Sequence, residues 1–135
     1  MERILILLLY ISLAGIAGIH KILGDFPPVW FYGKFKDTFL NWIPGGVWLS
    51  FVLIVTLEIT IAVLFSVALI KGEFKSGKNH TFSNFGFLVS LALFVILFFG
   101  SFLVQDYENG FNDFVYFGVT IFLMNYFAGV SKKAN

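Results

Sequence analysis

The stretch VWLSFVLIVTLEITIAVLFSVALI, Val47 to Ile70, decides how this chain is read. It is long and apolar enough to cross a bilayer as a helix, which takes roughly 20 predominantly apolar residues. One carboxylate, Glu58, interrupts it near the middle. A carboxyl at the bilayer centre costs roughly 2.5 to 3.5 kcal/mol on insertion scales, so such a group turns toward protein or a water-filled cavity. Glu58 therefore calls for further helices around it.

The flanking sequence supplies them. On the N-terminal side, Ile4 to Ile19 is apolar, and His20 and Lys21 close the run. A charged start, an apolar run and AGIAG also fit a signal peptide. The reading adopted is a first span, about 4–23, with Lys21 snorkelling to the interface and small residues thinning one end. On the C-terminal side, a polar loop from Lys71 to Asn84 precedes a third apolar run, about 85–104. The acidic turn QDYENGFND, Gln105 to Asp113, leads to a fourth run, about 114–130, and a polar tail, SKKAN. The expected fold is an all-α membrane protein, one domain built as a four-transmembrane-helix bundle (spans 4–23, 47–70, 85–104 and 114–130).

Gly24 to Gly46 joins the first two spans and has its own pattern. Phe31, Phe35, Phe39 and Trp42 recur at helical spacing, which places them on one face. Pro27-Pro28 suits a helix start and Pro44-Gly45-Gly46 a stop. The spacing predicts a short amphipathic interfacial helix within about Pro28 to Ile43, its aromatics turned to lipid or to the mouth of the bundle.

The composition agrees. The chain has 135 residues, of which 59% are hydrophobic and only 13% charged, against about 25% charged in soluble domains. Scattered lysines and a net charge of +1 offer nucleic acid no basic block. Without cysteine there is no disulfide, thiol nucleophile or iron–sulfur cluster. His20 and His80 fall on opposite sides of the membrane and cannot share a haem. Metal-ligand spacing, a phosphate loop and a Ser–His–Asp set are absent from the sequence, so no catalytic residue is assigned. Four spans put both termini on one side with Arg3, Lys71, Lys75, Lys78, Lys132 and Lys133, and the positive-inside rule makes that side cytoplasmic.

Glu58 is the leading candidate for function. Low dielectric penalises a charged carboxylate, so the neutral acid is the expected form. Its helix face also carries Ser66. Asn125, in the fourth span, stands about 16 Å below the outer end of its helix, as Glu58 does of its own. Equal depth predicts a shared ligand or proton pocket of Glu58, Asn125 and Ser66. A second group, His20, Lys21, Asp106 and Asp113, is expected at the outer mouth, where a His–carboxylate contact could titrate near neutrality.

The first span ending AGIAGIHKILGDF, the connector up to Ile43-Pro44-Gly45, LEITIAVLF around Glu58, and DYENGFNDFVYFG together resemble the DoxX-like family of small four-span bacterial membrane proteins. The resemblance implies a four-helix bundle in the bacterial inner membrane. It also implies a non-catalytic accessory subunit of a membrane complex, one with a protein partner and a quinone-linked redox role. The alternative is a binder or carrier of a quinone, a lipid or a proton in the pocket around Glu58.

Overall fold

The computed structural model describes residues 1–132, with side chains through residue 129. Five α-helices follow one another: α1 (Glu2–Leu23), α2 (Val29–Phe35), α3 (Gly46–Ile70), α4 (Thr81–Leu103) and α5 (Tyr107–Lys132), with a 3-10 turn (Phe39–Trp42) between α2 and α3. The described residues form no strand. Among them, α1, α3 and α4 are each long and apolar enough to cross a membrane, which marks a membrane protein by length and composition. At 26 residues α5 is as long, but its first turns carry Glu108, Asn109, Asn112 and Asp113 and lower its apolar content. The tail expected to be solvated, Ser131 to Asn135, lies outside the described side chains.

The helices pack in sequence, α1 on α3, α3 on α4 and α4 on α5. Contacts at the end holding the N-terminus close α5 back onto α1. Tyr126 donates to Glu2, and Arg3 reaches the Phe127 carbonyl at 3.3 Å. Deeper in, the Tyr10 and Thr120 hydroxyls are 2.6 Å apart. Thr120 already donates to the Tyr116 carbonyl, so Tyr10 must be the donor to Thr120. Around this seam Tyr10, Phe65, Phe87 and Phe127 stack edge to face or tilted, one ring from each long helix. Lipid is as apolar as this core, so close packing and hydrogen bonds, rather than escape from water, hold the helices together.

The α3–α4 loop is anchored by Glu73, whose carboxylate accepts from the Phe82 and Ser83 amides and the Ser83 hydroxyl at 2.8 to 3.0 Å. The two amides are orphan donors of the first turn of α4, so Glu73 caps that helix from the preceding loop. Arg3 ties the same loop to α1 through the Phe74 carbonyl.

The connector differs from the single amphipathic helix expected of it. It is a two-turn helix, a break at Asp37 and Thr38, and a separate 3-10 turn. Thr38 is extended, and its hydroxyl donates back to the Phe35 carbonyl at 2.7 Å, which competes with helix continuation. Helical spacing therefore holds only within α2. Phe31 and Phe35 are buried against the bundle, whereas Phe39 is exposed and Trp42 is 83% exposed. The chain then swings into α3 through Gly45, at φ +70°, and Gly46, where a Cβ would lie 2.2 Å from the Leu40 carbonyl oxygen. Only glycine fits so close an approach.

Candidate functional site

The buried face of α1 runs Arg3, Leu7, Tyr10, Ala14, Gly18, a repeat of three or four residues. Gly18 sets the depth at which α1 meets α3. A Cβ there would stand 2.8 Å from Ile59 Cδ1 and 3.4 Å from Glu58 Cβ, so glycine lets the two backbones approach at the level of the carboxylate. Lys21 follows on the same face, one turn toward the α2 end. Helical side chains lean toward the N-terminus of their own helix, and this aims the Lys21 ammonium back over Glu58.

Lys21 Nζ donates to Glu58 Oε1 in a direct ion pair. Glu58 is 4% exposed, and its other oxygen, Oε2, is buried without a hydrogen-bond partner. The expected acid thus has a cation beside it. The expected snorkelling of Lys21 gives way to an inward reach.

The shared pocket of Glu58, Asn125 and Ser66 does not form. Asn125 is exposed on α5, and α4 packs between α3 and α5 along the chain of neighbours. Equal depth fails as well, because α5 begins at Tyr107, within the expected acidic turn, rather than at Phe114. Asn125 stands at the end of the bundle where Arg3 meets the Phe127 carbonyl, and Glu58 at the level of Gly18. The rotation of α5 turns Asn125 outward and Thr120 and Phe127 inward. The Ser66 hydroxyl is used by its own helix, donating to the Ala62 carbonyl at 2.7 Å.

The expected outer-mouth group is split. His20 is exposed, and no His–carboxylate contact forms among the described residues. Asp106 pairs instead with Lys34 of α2 at 2.7 Å, and Asp113 accepts from the Ser101 hydroxyl at 3.2 Å. Asp106 also accepts from the Asn109 amide at 3.4 Å, as an N-cap of α5, and from the Asn109 side chain at 2.7 Å. His80 is buried against Phe127, with neither ring nitrogen hydrogen-bonded among the described residues.

The Lys34 ammonium, then the Asn109 amide, hold the Asp106 carboxyl down from 3.8 to about 2. A depressed carboxylate contributes stability that is complete above its unfolded value and lost as pH falls through the folded one. The tie from α2 to the α4–α5 turn should therefore persist at neutrality and loosen between about pH 4 and 2. Carboxyl NMR of Asp106 should show the low titration, and Lys34→Ala should raise it toward 3.8; titration at the ordinary value in the unmutated protein would remove the ion pair from solution.

Beneath α2 lies a cavity of about 150 Å³. Its walls are Trp30, Phe31 and Phe35 from α2, Ile54 from α3, and Ile96, Leu97 and Val104 from the α4 side. Its polar groups are Lys21, Lys34 and Ser101, with the indole of Trp30. The carboxylates that pair with the lysines stand behind them and do not line it. Sequence spacing could not reveal this assembly, because its ion pairs join residues 37 and 72 positions apart. The described residues hold no cluster of three metal-ligating side chains. No family model, curated protein or solved structure matches the chain.

Proposed function

We propose that this is a four-pass protein of the bacterial inner membrane, with α5 as the fourth span, that binds a small amphipathic molecule beneath α2. The carrying observation is the cavity itself, with apolar walls on three elements and lysines from two helices at its polar side. Ligand sites characteristically combine such walls with a few convergent polar groups. A lipid or a quinone meets that description. Both termini face the cytoplasm in this reading, and α2 lies at the outer surface. The support is the lysine-rich N-terminal end of the bundle and the resemblance to the DoxX-like family.

Purification in mild detergent followed by native mass spectrometry tests the binding. A stoichiometric small molecule, lost when Leu97→Trp fills the cavity, is the expected result. A stoichiometric protein partner with an empty cavity would instead favour an accessory subunit of a membrane complex. A reporter fused after Lys133 should be active only in the cytoplasm; periplasmic activity would overturn the orientation.

A further inference from the structure

We infer that the occupant of this cavity carries an anionic head, and that its binding is coupled to uptake of one proton by Glu58. This rests on the binding reading above and specifies the class of ligand and the linkage. The charged groups that line the cavity are both cations. Lys21 and Lys34 have no acceptor lone pair, and Ser101, whose proton goes to Asp113, adds one neutral acceptor oxygen. A negatively charged head on an apolar body matches these two cations, whereas a neutral head accepts a hydrogen bond from an ammonium but cannot take the place of its paired carboxylate.

The coupling follows from the geometry behind Lys21. Among the described residues its ammonium is the sole hydrogen-bond partner of Glu58, whose second oxygen has none. An incoming anion that takes Lys21 strips a buried carboxylate of its countercharge. Nothing else packed there replaces it. From α2, Lys34 is engaged by Asp106; α4 presents Ser101, and α5 presents Asp113, itself an acid. His20, next to Lys21, is exposed. An unpaired carboxylate in low dielectric is too costly to persist, so it takes a proton from solvent. The balance is one anion and one proton in, with the Glu58–Lys21 pair exchanged for neutral Glu58 and a Lys21–anion pair. The site takes up an acid with no net change of charge.

A free carboxylate amphiphile and an anionic lipid headgroup share this chemistry. The full chain in nonionic detergent is therefore titrated with decanoate, with dioctanoyl phosphatidylglycerol, and with neutral decylbenzoquinone, by calorimetry in two buffers of different protonation heat. At least one anion should bind, and which one identifies the source. Binding should take up about one proton per molecule and weaken about tenfold per pH unit above neutrality. Glu58→Gln should bind the same anion without proton uptake, and Lys21→Gln should bind it more weakly. The inference is overturned if uptake is zero, if Glu58→Gln takes up as many protons as the unmutated chain, or if the neutral probe binds as tightly as both anions. All three leave the binding reading intact. Binding of none of the three probes would overturn the cavity reading together with the inference.

Discussion

Lys21→Met is expected to destabilise the protein by about 3 kcal/mol, the low end of the cost of removing one partner from a buried ion pair. The low end applies because the Lys21 side chain is 23% exposed and gains less from the pair than a sealed one would. The loss arises from Glu58, left buried with neither oxygen paired. The compensating change follows directly. Glu58→Gln in the Lys21→Met background removes the orphaned charge and should recover most of the stability. Thermal unfolding of the single and double variants in one detergent measures both. A Lys21→Met protein that melts with the unmutated chain would show that the ion pair contributes nothing to the fold.

Phe87→Ala is expected to cost about 2 kcal/mol and to act on all four long helices at once. The Phe87 side chain is fully buried and its ring meets Tyr10 of α1, Phe65 of α3 and Phe127 of α5. In a soluble core the same change costs more, because the side chain is also returned to water. Here the unfolded helices remain in lipid, so the transfer contribution largely drops out. What remains is the void, roughly 100 Å³ at about 24 cal/mol per Å³. The α1–α5 seam should loosen most, since the aromatic stack supports the Tyr10–Thr120 hydrogen bond beside it. Hydrogen exchange confined to the α2 end in Phe87→Ala would contradict this account.

Helices α1, α3 and α4 were legible from the sequence because each is an apolar run of bilayer length bounded by charged or polar residues, and that property is local. The same holds for the Gly45-Gly46 turn and for the need of Glu58 to face protein. Helical spacing also identified Phe31 and Phe35 correctly, then failed at Phe39 and Trp42, because the break at Thr38 comes from a side-chain hydrogen bond that spacing does not encode. Counting from Phe114 put Asn125 level with Glu58, but α5 starts seven residues earlier, at Tyr107, so the two differ in depth as well as in facing. Depth follows from counting residues at a fixed rise, whereas facing depends on how each helix is rotated against its neighbours. Only the tertiary packing decided that Gly18 would bring α1 onto α3 at the level of Glu58, that Lys21 would turn inward there, and that Asn125 would face out. The sequence alone established that a buried acid needed company in the membrane. Which residue keeps it company is a property of the packed helices, because charges far apart in the chain meet only where close backbone contact permits.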